Sequence, residues 1–238
     1  MTVIARRIVL RLDPGRLQDG ALPHAMRLAK AFHAELAARM IADTRFAAAF
    51  AGPKVERQLR HAEASLRREL TGLAKRESAS CTFEVVHCAG ILASECTMDD
   101  DDIVAIELPR IEVSRAELRE EIATTLTHAR GVLLLPATER TTVGPVVAIV
   151  EHREHAQTFI EQADRIAEAL GAPLKMLEHN GAPAARAERQ ETGDIATAVR
   201  RLGAILAVVD AKDPIADALI ARPRFLRELA TPLLLLKT

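Results

Sequence analysis

The chain has 238 residues and a formal net charge of −1, with 32 Lys and Arg against 33 Asp and Glu. That balance lacks the basic excess of a general nucleic-acid binder, and 27% charged with 49% apolar residues is the composition of a folded chain rather than a disordered one. With no Trp, no Tyr and 3% aromatic residues, surfaces for stacking bases or sugars are scarce.

The length accommodates one large domain or two compact ones. No apolar run approaches the roughly 20 residues that span a bilayer. The opening MTVIARRIVLRLDPG has neither the long apolar stretch nor the small-residue cleavage site of a secretory signal. Three cysteines, Cys81, Cys88 and Cys96, form no CxxC pair. These features lead to the expectation of a cytoplasmic chain with reduced thiols, no membrane insertion and no nucleic-acid partner.

Ile8-Val9-Leu10-Arg11-Leu12 is an apolar run closed by Asp13-Pro14-Gly15, a strand and its exit turn. Leu22, Met26, Ala29, Phe32 and Leu36 recur at steps of four and three and predict one buried helical face. A short strand is expected near 37–42. Pro53 suits the first turn of a long helix over 53–76, whose stripe is Val55, Leu59, Ala62, Leu66, Leu70 and Leu73. Strands are expected at 83–87 and 103–108, the second after the acidic run Asp99–Asp102. Ser114 and Glu117 stand at capping-box spacing ahead of the stripe Leu118, Ile122, Leu126. Gly131 is expected as the left-handed residue that closes this helix, before an apolar strand at 132–135.

The pattern then restarts. A strand at 146–150 leads to the helical stripe Phe159, Ala163, Ile166, Leu170, closed by Gly171, and to a strand at 174–177. Residues 180–193 read as a loop with at most a short edge strand. Thr192 or Asp194 is expected to cap a helix through Leu202, with Gly203 as its stop. A strand at 204–209, a helix opened by Asp213-Pro214 and broken or restarted at Pro223, and a strand at 233–236 complete the order. Apolar strands alternating with amphipathic helices predict a doubly wound α/β fold built from parallel βαβ units with right-handed crossovers.

The two halves align. Ala25–Leu36 matches Ala163–Leu174 at an offset of 138 residues, with six of twelve positions identical: four alanines, Arg27/Arg165 and Leu36/Leu174. Each half runs strand, helix, strand, variable middle, strand, helix, apolar strand; the second has no counterpart to the helix at 53–76. The boundary is expected near Thr141, giving domains 1–140 and 141–238.

In this order of elements the chain resembles the universal stress protein family in its tandem two-domain form. Phe225-Leu-Arg-Glu-Leu-Ala-Thr-Pro-Leu-Leu-Leu-Leu-Lys237 looks like the family's closing pattern, a helix end leading through Pro into an apolar last strand. Arg7-Ile-Val-Leu-Arg-Leu-Asp13 looks like its first strand, which ends in an acidic residue. The resemblance implies a Rossmann-like, adenine nucleotide alpha hydrolase-like sheet of five parallel strands in each half, in order 3-2-1-4-5, with the last strand used for pairing between domains. An unpaired, wholly apolar edge strand is an aggregation hazard. Antiparallel pairing of 132–135 with 233–236 closes both, so an internal pseudo-dimer is expected.

The same resemblance implies a phosphate motif, Gly-x2-Gly-x9-Gly-Ser/Thr after the fourth strand, whose glycines let backbone N–H groups approach ATP. Here the corresponding segments, Pro109–Leu126 and Ala211–Leu226, contain no glycine, and the Gly-Ser position falls near Leu118-Arg119 and Leu219-Ile220. No cofactor is expected by the usual motif. ATP remains possible through another phosphate site, to which Arg115, Arg119, Arg222 or Arg224 could bring charge. Asp13 matches the family's adenosine-contacting acid, and Glu151 holds the corresponding place in the second half; each also suits a strand end that helps cap the next helix.

Other constellations are less specific. His152 and His155, in Glu151-His-Arg-Glu-His155, have carboxylates nearby but a spacing one residue short of HExxH, and fit solvated residues at a helix entrance better than a metal site. Asp99–Asp102 lacks the spacing of a calcium loop and reads as a solvated turn. Cys88 follows His87, but neighbours on a strand point to opposite faces, so it reads as buried and inert. The resemblance thus implies a stress-response or signalling module rather than an enzyme, acting through a protein partner, a homodimer or an unknown small ligand. An adenine-nucleotide-binding protein with a non-standard phosphate site is the alternative. An enzyme of other chemistry at His152 and His155 is a third reading.

Overall fold

The computed structural model describes residues 4–12, 21–43, 53–88, 98–108, 115–136, 143–151, 156–178, 188–221 and 231–238. In chain order these form β1 (Arg7–Leu12), α1 (Ala21–Ala31), β2 (Glu35–Asp43), α2 (Pro53–Glu77), β3 (Cys81–Cys88), β4 (Asp102–Glu107), α3 (Arg115–His128), β5 (Gly131–Leu135), β6 (Val146–Val150), α4 (Gln157–Ala169), β7 (Leu174–Glu178), α5 (Glu188–Arg201), β8 (Leu206–Asp210), α6 (Pro214–Ile220) and β9 (Leu233–Leu236).

The strands make one continuous nine-stranded sheet in the order β3-β2-β1-β4-β5-β9-β8-β6-β7. All neighbours are parallel except β5 and β9, which run antiparallel with Gly131 opposite Leu236 and Leu133 opposite Leu234. The expected order 3-2-1-4-5 is present in β1–β5. Beyond the seam the described strands number four, with no counterpart to β3 outside β7. The predicted pairing of the two apolar strands is present, and it joins both sets of strands into a single sheet.

Continuous apolar strands arise because both faces are covered. Alternate residues divide between two cores, as the two-residue strand period requires. Ile8, Leu10, Leu133, Ala148 and Leu234 pack with Met26 of α1, Leu66 and Leu70 of α2, and Phe159 and Ile166 of α4. Val9, Val104, Val132, Ile149 and Leu235 pack with Leu118 and Ile122 of α3, Val199 of α5 and Leu219 of α6.

The unit β1–α1–β2 has a close geometric parallel in β6–α4–β7. Ile8 pairs with Leu36, and 138 residues later Val146 pairs with Leu174. The helix ends agree as well. The Ala34 N–H donates to the Ala29 carbonyl at 2.8 Å, and the Ala172 N–H to the Ala167 carbonyl at 2.9 Å. The intervening residue is left-handed in both: His33 at φ 53° and Gly171 at φ 61°.

Four expectations need correction. Leu36 does not continue the helical face of α1, which ends at Ala31; it lies in β2 opposite Ile8. Gly131 is not a left-handed helix stop; it opens β5. A Cβ there would lie 2.7 Å from the Leu235 carbonyl oxygen, so its bare Cα is required by the seam. Helix α5 begins at Glu188, earlier than expected, and Thr192 and Asp194 lie within it rather than at its cap. Asp102 is not part of a solvated turn: it is fully buried at the start of β4, and Arg7 holds both its oxygens, Nε to Oδ1 at 2.9 Å and Nη2 to Oδ2 at 2.6 Å. The capping pair Ser114 and Glu117 and the break at Pro223 have no counterpart to report: Ser114 and Pro223 lie outside the described residues, as does the side chain of Glu117.

Candidate functional site

In open α/β sheets ligands collect beyond the C-terminal strand ends, where the strand order reverses. This sheet has two such points, between β1 and β4 and between β6 and β8. Because β5 and β9 are antiparallel, the two C-terminal edges lie at opposite ends of the sheet. They are two separate places.

The edge beyond β6 and β8 is the better described. Glu151, half-buried, follows β6 directly, and its backbone N–H donates to Asp213 Oδ2 at 3.1 Å. Asp213 is also the N-cap of α6: its Oδ1 accepts from the Ile215 N–H at 2.9 Å. One carboxylate thus ties the end of β6 to the start of α6. The next residue, Pro214, has no N–H to offer a ligand. Asp210 accepts from the Lys212 N–H at 2.9 Å and from the Thr238 hydroxyl, and the Lys212 ammonium donates to the Thr238 carbonyl. Among the described residues, Asp210, Lys212, Asp213 and Thr238 at this edge are thus engaged within the chain.

At the edge beyond β1 and β4, Arg11 pairs with Glu121 of α3. Asp13, His152 and His155 lie outside the described residues, as do Arg222 and Arg224 and the side chains of Arg115 and Cys88. Among the described residues no group of three or more His, Cys, Asp or Glu is arranged to hold a metal ion.

The positions aligned with the phosphate motif are well defined. Leu118 is 6% exposed and Leu219 wholly buried, both in the core beneath α3 and α6. Arg119 points outward and lies 3.6 Å from Asp217, an ion pair between α3 and α6. Neither place is a cradle open to a phosphate; each is filled by a leucine that anchors its helix. Among the described residues, the leucines at these two positions do not fit a glycine cradle for a phosphate.

Asp213 was legible in the sequence only as a helix cap. Its bond to Glu151 spans 62 residues and leaves no local signal. The described free cysteine, Cys81, begins β3 at the opposite end from the first edge. Burial, and then the nearby charge of Glu35, push its thiol up to about 11. Its thiolate is therefore scarce at pH 8, and alkylation by iodoacetamide is expected to be about two orders of magnitude slower than for an unperturbed thiol of pKa about 8.5. Peptide mapping of labelled Cys81 against pH checks this; a rate that saturates near pH 9 contradicts it.

The architecture is that of a doubly wound α/β fold, and no helix among the described residues is long and apolar enough to cross a membrane. Among solved structures the chain is similar to a universal stress protein from Archaeoglobus fulgidus DSM 4304, with a TM-score of 0.59 and 9% identity over 98% of both chains. At that identity the likeness is one of fold. No protein-family model matches the chain, and no curated protein matches it.

Proposed function

We propose that this chain is a universal-stress-protein-like module of two related halves, 1–140 and 141–238, with a stress-response or signalling role and no enzymatic step. On this reading it holds no ATP by the glycine motif. It acts in the cytoplasm through a protein partner, a homodimer or a small ligand. The observation that carries the reading is the full-length fold likeness combined with leucines, Leu118 and Leu219, in the core at both phosphate-motif positions. The recurrence of strand register and helix end at 138 residues supports two related halves.

The test is nucleotide content. Freshly purified protein is denatured and its supernatant examined for adenine nucleotide by mass spectrometry, with calorimetric titration of ATP alongside. No nucleotide and no binding heat are expected. Stoichiometric nucleotide overturns the reading in favour of a non-standard phosphate site, and Asp13→Ala then weakens binding if the acid contacts adenosine.

A further inference from the structure

We propose that the outer face of α2 docks an acidic segment of a partner protein. The proposal rests on the reading of the chain as a module that acts through protein contacts, and it names the chemistry of the partner.

Helix α2 runs for 25 residues, yet among its described side chains only Leu66, Leu70 and Leu73 are buried. At about 3.6 residues per turn these three fall on one line, and Arg57, Arg68 and Lys75 fall on the line opposite. Arg60 and Arg67 flank that outer line on one side and Arg76 on the other; all six are exposed. The described acids of α2, Glu63, Glu69 and Glu77, lie outside this half of the circumference. The outer half is thus cationic over about 27 Å, from Arg57 to Lys75, with no acid among its described side chains. The chain as a whole has a net charge of −1. On the same face of the sheet, α4 mixes Glu161, Asp164 and Glu168 with Arg165 on its exposed surface. Between β7 and β8 the described second half has only α5, on the opposite face, so nothing there repeats α2. Part of the row is held in place. The Arg67 guanidinium lies 5.0 Å from the Phe83 ring centroid and 3.2 Å from Glu63, and Arg68 Nε donates to the Ala64 carbonyl at 3.2 Å. A row of this kind attracts carboxylates, each exposed pair contributing little and the pairs adding along the helix. Its borders favour a narrow occupant: Glu63 stands on one flank and Glu69 on the other, so a wide duplex presses on like charge while a single polypeptide segment lies within the row. The chain has no Trp or Tyr to stack on bases. The outer half also has no large apolar side chain to enter a bilayer, which an interfacial helix needs.

Fluorescence anisotropy tests the proposal, with the full chain titrated into a fluorescein-labelled peptide of about ten glutamates, long enough to span the row when extended. Binding is expected, weakening as salt rises from about 0.05 to 0.5 M. Arg57→Gln/Arg68→Gln/Lys75→Gln is expected to weaken it about tenfold, three weak exposed pairs being lost. Arg165→Gln/Lys175→Gln/Arg201→Gln removes the same charge from exposed positions of the second half and is expected to change affinity less than about twofold. All six side chains are exposed and glutamine is a good helix former, so both variants retain the fold, which circular dichroism checks. No binding by the unaltered chain, or an equal loss in both variants, overturns the proposal. So does tighter binding of a mixed-sequence DNA duplex or of phosphatidylserine vesicles, which would make the partner a nucleic acid or a membrane. Adenine nucleotide in the purified protein would overturn the ATP-free reading and leave a positive result here standing. Absent nucleotide with no glutamate binding overturns this proposal alone.

Discussion

Leu234→Asp is expected to abolish the native fold. Leu234 is 1% exposed and faces Leu133 across the antiparallel seam between β5 and β9. Truncating such a leucine to alanine costs about 2–5 kcal/mol. Placing an ionised carboxylate there adds an effective desolvation penalty of several kcal/mol, about as large as the whole stability of a typical domain, roughly 5–15 kcal/mol. Its cross-strand partners are Leu133 on β5 and Val208 on β8, and its chain neighbours are Leu233 and Leu235, so no cation stands directly opposite to pair with it. The measurement is far-UV circular dichroism with size-exclusion chromatography of the purified variant. A monomeric, cooperatively unfolding Leu234→Asp protein would show that the seam does not hold the fold together. Leu234→Ala serves as the milder control, with a midpoint lowered in proportion to about 2–5 kcal/mol.

Arg7→Ala comes second in expected effect. It leaves the fully buried Asp102 without the guanidinium that holds both its oxygens. Breaking a buried pair from one side typically costs about 3–5 kcal/mol, because the remaining charge stays desolvated. The Asp99 N–H, which donates to Asp102 Oδ2 at 3.0 Å, offsets part of that loss. Urea unfolding should therefore give a loss of about 3 kcal/mol for Arg7→Ala. Much of it should return in Arg7→Ala/Asp102→Asn, which removes the stranded charge. Additive losses in the double variant would count against the pair as the cause. The surface pair Arg119–Asp217, more than half exposed on both sides, is expected to contribute little by comparison.

The strands were legible in the sequence because their chemistry is local. Runs such as Val146–Val150 and Leu233–Leu236 are apolar on both faces, which is what a covered parallel sheet demands, and they fall at the expected residues. So were the helix stops at Gly171 and Gly203, both at positive φ. What misled was distance along the chain. Gly131 follows a helix closely enough to look like its stop, yet the constraint on it comes from Leu235, more than a hundred residues on. Asp102 sits in a run of four acids that looks solvated, yet its partner is Arg7, 95 residues away. Asp213 was visible as a cap, while its bond from the Glu151 N–H, 62 residues away, was invisible for the same reason. The leucines in place of the phosphate glycines were legible at once, since a missing glycine needs no partner to be noticed.

The seam also sets an order of events in the cell. Strand β5 has its inner partner β4 nearby in sequence, but its outer partner, β9, lies almost a hundred residues downstream. At a synthesis rate of about 5–20 residues per second, the outer edge of β5 waits roughly 5–20 s after leaving the ribosome before β9 can reach it. During that interval Val132–Leu135 presents an unpaired, wholly apolar border to its surroundings. The nascent chain is therefore most in need of a chaperone between the emergence of its fifth strand and that of its ninth, and ribosome-bound chains stalled in that window should be the ones that holdases capture.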